Sequence, residues 1–366
     1  MIGGAGVRYA PVRRLAELAA TARNASRLAA GARLADGQAL RSLPGDADAA
    51  LRGARSRFGL SPRWTVGDRL TTVADVAVLE VREGDRLVAV LKLGRTPEGN
   101  ASLRLQQETL ARLHGNARLD RWRRLLPVVA AHGAAGEHAY SIELALPGTV
   151  GTAAAAGPEA ARAAVRAVSG LHRATGAATP ATRPVAEGWL EPALSLVADV
   201  PTLMGPAARR RGVEAVRERI QAGTEGRAVW LGRTHGDFAP GNLFLDPAGE
   251  VTGIIDWGQS RADDPAVIDV LTYLLVDRAR AERRGLGVVV GDLVRGAPLT
   301  AGEQALLDIH RAACPADPLD VPVMALLAWL RHVENNLLKS PRYGTNPAWV
   351  FLTVEKVLRT ASSRAR

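Results

Sequence analysis

The chain has 366 residues, 47% hydrophobic and 23% charged, which is enough for two domains or one large bilobed domain. Its single cysteine, Cys314, excludes an internal disulfide and suits a reducing cytoplasm, where we expect the protein to act. The net charge of +10 favours anionic partners, but only 4% of residues are aromatic and could stack on bases, so no nucleic-acid partner is expected. No apolar run approaches bilayer length, so no membrane span is expected either.

Lysine is rare in this chain. The basic residues are nearly all arginine, and lysine occurs only at Lys92, Lys339 and Lys356. A lysine ammonium is a compact point charge, whereas an arginine guanidinium is a planar fork. Each lysine is therefore a position where a compact charge could have a function that arginine would not fulfil.

The first part of the chain divides into two regions. Residues 1–60 are rich in alanine and arginine, with apolar positions at helical spacing, and predict an N-terminal extension of two helices. Residues 61–146 are expected to form an N-lobe. Its predicted elements are two strands, one helix and two more strands, at 74–81, 86–93, 102–113, 125–131 and 139–146. This order predicts a small antiparallel sheet with a single helix packed on it.

Residues 147–366 predict a mostly helical C-lobe. Helical spacing recurs at 158–175, 213–221, 265–284, 301–313, 321–339 and 347–360. One strand-rich segment, 229–256, interrupts these helices. The chain as a whole therefore predicts an α+β, bilobal architecture with a cleft between its lobes.

The strand-rich segment contains the residues with the clearest chemical meaning. It reads His-Gly-Asp-Phe-Ala-Pro-Gly-Asn over residues 235–242 and Ile-Asp-Trp over residues 255–257. Phosphoryl transfer needs a carboxylate to deprotonate the attacking hydroxyl and oxygen ligands to hold Mg²⁺ against the phosphates. A hairpin between the two motifs would bring Asp256 beside Asn242 and Asp237. Two other interpretations stay open at this point: a plain hairpin whose turn uses Asp, Asn and Gly, and a transition-metal pair that lacks further ligands nearby.

This pair of motifs resembles the catalytic loop and metal motif of the aminoglycoside phosphotransferase and choline kinase family, whose members share the bilobal fold of protein kinases. The resemblance covers roughly residues 62–350. It implies that the N-lobe binds a nucleotide and that the C-lobe carries the catalytic loop and the acceptor site. It implies that Asp237 is the catalytic base and that Asn242 and Asp256 bind magnesium. It also implies that His235 supports the loop, and that Asp269 braces it from the next helix.

The resemblance extends to the N-lobe. It implies that Lys92, at the end of the second predicted strand, reaches the nucleotide phosphates and is held by Glu108 of the following helix. Taken alone, both residues could equally be solvated surface charges. No glycine-rich loop is present, so phosphate clamping is expected from backbone amides near Thr71 and Thr72. The hinge between the lobes, whose backbone is expected to hydrogen-bond the adenine edge, is placed at Glu143, Leu144, Ala145 and Leu146.

We therefore expect an ATP- or GTP-dependent phosphotransferase that uses Mg²⁺ to move the γ-phosphate to a hydroxyl of a small molecule, such as a sugar, a nucleoside-like natural product or an antibiotic. The charge of +10 argues against a polycationic acceptor and favours a neutral or anionic one. Two alternatives remain: a kinase of Ser or Thr in a peptide, such as a natural-product precursor, and a non-catalytic nucleotide-binding protein on a kinase scaffold.

Overall fold

The computed structural model describes residues 45–70, 75–151 and 157–363. The first of the two helices predicted for the N-terminal extension, and the predicted phosphate clamp at Thr71 and Thr72, lie outside these residues. The second predicted helix is present as α1, residues 45–58. No helix in the described ranges has the length and apolar character needed to span a membrane.

The N-lobe is a five-stranded antiparallel sheet with one helix inserted between its third and fourth strands. Its elements are β1 (Trp64–Leu70), β2 (Val76–Glu83), β3 (Arg86–Gly94), α2 (Pro97–Gly115), β4 (Val129–Ala135) and β5 (His138–Leu144). The strand order is β1-β2-β3-β5-β4. Between β2 and β3 the chain turns at Gly84, whose φ of +60° suits a tight hairpin turn. The sheet and helix agree with the predicted N-lobe, but the sequence pattern indicated no strand at β1. The fourth strand, predicted at 125–131, begins only at Val129, after a 3-10 helix at Ala117–Leu125.

Helix α1 packs into the hydrophobic core of the N-lobe. Its buried residues Ala47, Leu51 and Ala54 belong to the same apolar cluster as Leu79 of β2 and Leu91 of β3. The small alanine side chains let the helix approach the sheet closely. The end of the predicted extension is thus part of the same core as the sheet that follows it.

The C-lobe is mostly helical. Its helices are α3 (Pro158–Thr175), α4 (Arg183–Asp199), α5 (Pro206–Thr224), α6 (Val267–Ala281), α7 (Leu286–Val294), α8 (Ala301–Ala313), α9 (Val321–Lys339), α10 (Pro341–Thr345), α11 (Pro347–Trp349) and, after a π-helical segment (Val350–Glu355), α12 (Lys356–Ser362). Helix α9 lies at the centre of this core, where Trp329 is fully buried. Helix α8 begins at a capping box formed by Thr300 and Glu303.

Two helices of the C-lobe, α4 and α7, lie where the sequence pattern indicated none. Helix α4 contains Pro192, and α7 contains Gly287 and Gly291, all residues that weaken a helix prediction. In the structure, a Cβ on Gly287 would collide with the backbone at Leu352 and Thr353. This glycine therefore allows two chain segments to pack closely and does not end the helix.

The remaining strands of the C-lobe are short. They are β6 (Thr149–Val150), β7 (Ala177–Pro180), β8 (Ala228–Thr234), β9 (Leu243–Leu245), β10 (Val251–Ile254) and β11 (Arg261–Pro265). Strands β9 and β10 form the hairpin predicted between the two motifs, with Leu243 opposite Ile254. The α+β, bilobal architecture predicted from the sequence is confirmed.

Candidate active site

The loop after β8, residues 235–242, is held through its backbone. Gly236 has a φ of +87°, and a Cβ there would collide with the carbonyl of Gln259, so the position requires glycine. The buried Asp269 carboxylate of α6 accepts the amides of His235 and Gly236, at 2.7 and 2.9 Å. The Asn335 side chain of α9 donates to the Gly236 carbonyl at 2.7 Å. Two helices thus fix the main chain immediately before Asp237.

The two buried histidines behind this loop support it. The His235 ring packs against Trp257, and its Nε2 lies 2.8 Å from the Ile255 carbonyl, which ties the loop to the strand before Asp256. His172 of α3 hydrogen-bonds Asp269 at 3.0 Å. The structure thus places His235 and Asp269 where the family resemblance implies supporting residues, with both side chains turned away from the cleft.

The structure brings the three polar residues of the two motifs together. The Asn242 side chain donates to the Asp237 carbonyl at 2.8 Å, and the Ile255 amide donates to the Asn242 carbonyl at 2.9 Å. Asp256 follows in a left-handed conformation, with φ of +67°. The carboxylates of Asp237 and Asp256 both reach one ammonium, that of Lys339, at 3.6 and 3.3 Å. Their convergence follows from the short hairpin that joins the motifs.

Lys339, the last residue of α9, is a site residue that the motif analysis did not place. The sequence contained one signal for it, the scarcity of lysine, but nothing in the local pattern near residue 339 indicates a catalytic loop far away in the chain. The charge of Asp256 raises the pKa of Lys339 above its ordinary value, even though burial lowers it. Lys339 therefore stays protonated at every physiological pH.

Asp256 lies in a strongly positive environment. Burial alone would raise its pKa, but the charges of Lys339 and Lys92 oppose this and lower the pKa of Asp256 to about 2. Asp256 is therefore ionised and able to act as an oxygen ligand. The joint influence of the two lysines also shows that Lys92, from the N-lobe, faces the same place as Lys339 from the C-lobe.

A cleft of about 540 Å³ between the lobes contains these groups. Its polar lining includes Lys92, Asp237, Asn242, Asp256 and Lys339. Its apolar lining comes mainly from the N-lobe strands and the hinge, and includes Val76, Val78, Val90, Leu144, Leu146, Phe244 and Ile255. A volume of this size with apolar walls and charges at one end suits a ligand with a flat apolar part and an anionic tail.

The structure corrects the expected partner of Lys92. The Lys92 ammonium lies 3.1 Å from Glu143 of β5, and both side chains are nearly buried. The Glu108 side chain is 60% exposed and pairs with Arg112 on the surface. On α2, the residue that faces the sheet is Gln106, whose amide donates to Glu143 at 2.5 Å. Residues two positions apart lie on nearly opposite faces of a helix, so Glu108 points away when Gln106 points inward.

Sheet pairing explains why Glu143 takes this role. Lys92 stands opposite Ser141 in the β3–β5 pairing, so Glu143 lies diagonally across on the same face of the sheet.

The structure also changes the expectation for the hinge between the lobes. The amides of Leu144 and Ala145 donate to Val128 and Val88, at 2.9 and 3.0 Å, because the sheet pairing continues past Glu143. Of the four predicted hinge residues, two already have their amides engaged and one has its side chain on Lys92.

Comparisons with known proteins agree with this geometry. The model of the phosphotransferase enzyme family matches residues 71–298, more than half of the chain, and the protein belongs to this family. It is therefore a kinase, an enzyme that transfers phosphate to a hydroxyl group. A search of the curated proteins finds no match.

Solved structures that are similar to this chain include several phosphotransferases. The aminoglycoside-3'-phosphotransferase of type VIII is 20% identical, with a TM-score of 0.48 over 79% of this chain and 99% of that chain. The macrolide 2'-phosphotransferase MphH from Brachybacterium faecium is 21% identical, with a TM-score of 0.49 over 88% and 98%. The ADP-bound aminoglycoside phosphotransferase APH(2'')-Ib is 12% identical, with a TM-score of 0.50 over 86% and 97%. At such identities the likeness concerns the fold.

Proposed function

We propose that the protein transfers the γ-phosphate of ATP to a hydroxyl of a neutral or anionic small molecule, with Asp237 as the catalytic base. The observation that carries this proposal is the convergence of Lys92, Asp237, Asn242 and Asp256 on one cleft between the lobes. These residues come from both lobes and are far apart in the chain. A plain hairpin would not need the N-lobe lysine, and membership of a phosphotransferase family supports the catalytic interpretation.

Asp237 meets the requirements of a base. Its backbone is fixed by Asp269 and Asn335, while its carboxylate faces the cleft and stays 29% exposed. It would orient the acceptor hydroxyl and take its proton as the oxygen attacks the γ-phosphorus. The new phosphorus–oxygen bond forms to the acceptor, and the bond to the β-phosphate oxygen breaks, which leaves ADP. Positioning of the reactants supplies most of the acceleration in such a reaction.

The residues around Asp256 fit a magnesium ion. Magnesium prefers oxygen ligands, and Asp256 is an ionised carboxylate. The Asn242 side chain uses its nitrogen to bond the Asp237 carbonyl, so its oxygen remains for a cation. Asn242 and Asp256 would therefore hold the metal. Magnesium supplies charge neutralisation on the phosphates and helps to orient them.

Lys92 and the apolar walls would bind the rest of the nucleotide. Glu143 and Gln106 hold the Lys92 side chain in one orientation, as an N-lobe contact to the α- and β-phosphates requires. The adenine would lie between the apolar N-lobe strands and Phe244. Leu146, which lines the cleft, would supply the hinge amide, because the amides of Leu144 and Ala145 already bond within the sheet.

The net charge of the chain favours a neutral or anionic acceptor. Among the described residues that line the cleft, the acidic side chains are those of Glu143, Asp237 and Asp256. Each of them forms an ion pair with a lysine of the same cleft. Two lysines thus face three carboxylates, so the lining by itself excludes neither sign of acceptor, and the preference depends on the charge of +10 of the whole chain.

A mass-spectrometric screen tests this function. The purified protein is incubated with Mg²⁺ and ATP against sugars, nucleosides, macrolides and aminoglycosides, and each mixture is searched for the mass of one added phosphate. Asp237→Asn, prepared in the same way, is the inactive control. We expect a product among neutral or anionic hydroxyl compounds. Phosphorylation confined to aminoglycosides would contradict the acceptor assignment, and a product that persists with Asp237→Asn would contradict the base assignment.

A further inference from the structure

Lys339 lies at the centre of the proposed reaction and has no role in the function described so far. Its ammonium is 3.3 Å from Asp256 and 3.6 Å from Asp237. Within the part of the chain that the structure describes, it is the one cation that forms ion pairs with both carboxylates. The space between the base and the proposed metal ligand is also the space through which the phosphoryl group must pass.

We propose that Lys339 is a catalytic residue whose ammonium contacts the γ-phosphate oxygens during transfer. This inference rests on the proposed function, because it takes the position of the γ-phosphate from the roles of Asp237 and Asp256. As the acceptor oxygen binds the γ-phosphorus and its proton passes to Asp237, the bond to the β-phosphate breaks. Negative charge is then spread over the equatorial oxygens of the moving group. A fixed cation beside those oxygens stabilises that charge more in a partly buried cleft than it would in water.

A purely structural role for Lys339 explains its position less well than a contact to the γ-phosphate does. A lysine in the last turn of a helix is favoured by the helix dipole, and two ion pairs could simply connect α9 to the loop. The loop is already connected to α9 by Asn335, which donates to the Gly236 carbonyl, and to α6 by Asp269. The Lys339 side chain also lines the cleft, and 21% of its surface is exposed. The geometry therefore leaves its charge available to a ligand.

The choice of lysine supports the same conclusion. Of the three lysines in the chain, Lys92 and Lys339 line the cleft, and Lys356 lies over the Phe351 ring at 4.6 Å. A compact ammonium with three rotatable donors can release a carboxylate and turn to a phosphate oxygen without a change in the helix. Lys339 would pair with the carboxylates in the free protein and with the γ-phosphate in the nucleotide complex.

The test compares Lys339→Met with Lys356→Met, a control that removes a lysine outside the cleft. Because the acceptor is unidentified, the rate is measured as Mg²⁺-dependent hydrolysis of ATP with water as acceptor. Binding of ADP and of a non-hydrolysable imido analogue of ATP is measured by calorimetry in the presence of Mg²⁺. Lys339→Arg, which keeps the charge, is the second variant and guards against a loss of folding in the methionine variant.

We expect Lys339→Met to lower the hydrolysis rate about 10²-fold, as for loss of one transition-state donor. Its affinity for the ATP analogue should fall about tenfold, since a charged hydrogen bond is lost, while its affinity for ADP changes little. Lys339→Arg should recover part of the rate, and Lys356→Met should match the wild type.

Equal losses of ADP and analogue binding in Lys339→Met would show that Lys339 only stabilises the site structurally, and would overturn the inference. A wild-type hydrolysis rate in that variant would do the same. Both results leave the proposed function intact, provided that Asp237→Asn is inactive. If the wild-type protein binds neither nucleotide with Mg²⁺, the proposed function itself fails, and the role of Lys339 fails with it.

Discussion

Between residues 235 and 242 the C-lobe fixes the main chain with buried side chains, whereas the N-lobe holds Lys92 by pairing it with another side chain. Asp269 and Asn335 bond backbone amides and a backbone carbonyl of the loop. Lys92 depends on Glu143 and Gln106, which come from a different strand and from a helix. Because these bonds hold the main chain and do not involve the Asp237 carboxylate, that carboxylate is free for chemistry.

Substitutions in the loop support and in the Lys92 contact should therefore have different effects. Replacing a supporting residue of the loop disturbs the fold and the site together, because buried backbone groups lose their partners. Replacing the partner of Lys92 mainly leaves a misplaced charge at the edge of the cleft. Five substitutions, in four tests, separate these effects, from the largest expected effect to the smallest.

The largest effect is expected for Asp237→Asn. Loss of a general base lowers turnover about 10²- to 10⁴-fold. The backbone contacts of the loop do not involve the Asp237 side chain, so the fold and ADP binding should persist. Rates of phosphate transfer and calorimetric titration with ADP check both parts. Unchanged turnover would remove Asp237 from the mechanism.

Asp269→Ala tests the support of the loop. The substitution leaves the amides of His235 and Gly236 without their buried acceptor, and the unfolding free energy should fall by about 3 kcal/mol. Turnover should fall as well. Urea unfolding measures the first effect. A stable but inactive variant would mean that the carboxylate acts in catalysis directly and not through the loop.

Glu143→Gln and Glu108→Gln form a matched pair for the Lys92 contact. Glu143→Gln removes the charge next to Lys92, and we expect a loss of about 1.5–3 kcal/mol in ATP binding and transfer, roughly tenfold or more. Glu108→Gln changes an exposed residue and should stay within about 0.5 kcal/mol of the wild type. Titration with ATP analogues and steady-state rates give the comparison. The reverse order of effects would restore Glu108 as the partner.

The last effect, which is the smallest one near neutral pH, concerns acid stability behind the loop. Burial, with a further contribution from the nearby His172, lowers the pKa of His310 from 6.5 to about 3, while the unfolded chain keeps the ordinary value. The unfolded state thus binds a proton below about pH 6.5, whereas the folded state binds it only near pH 3. The free energy of unfolding should therefore decrease as the pH falls through this window, by up to about 1.4 kcal/mol per pH unit.

His310→Asn removes this contribution, so its unfolding free energy should depend less on pH than that of the wild type between pH 7 and 4. Denaturant titrations across that range measure the slopes. Because His310 bonds Ser169 and packs on His172, the variant also reports on the layer that supports Asp269. Identical slopes in the two proteins would show that another group binds the proton.

Several parts of the fold could be predicted because their signals are local. Helices α3, α8 and α9 have the predicted bounds, since proline or capping residues begin them and apolar spacing runs through them. Helix α7 and strand β1 were not predicted. The glycines of α7 are explained by a close approach to a segment more than 60 residues later, which no local pattern contains.

The sequence by itself determined the catalytic loop, because residues 235–242 and the hairpin to Asp256 are close in the chain and a short turn can join them in few ways. Only the tertiary structure decided the partner of Lys92, since which face of α2 meets the sheet, and which residue of β5 lies across from β3, depend on packing. It also decided the place of Lys339, whose ammonium reaches Asp256 from 83 residues away along the chain. Charged residues so far apart in the chain are brought together by burial of the helices that carry them. No local pattern in a single sequence indicates which of these residues become neighbours.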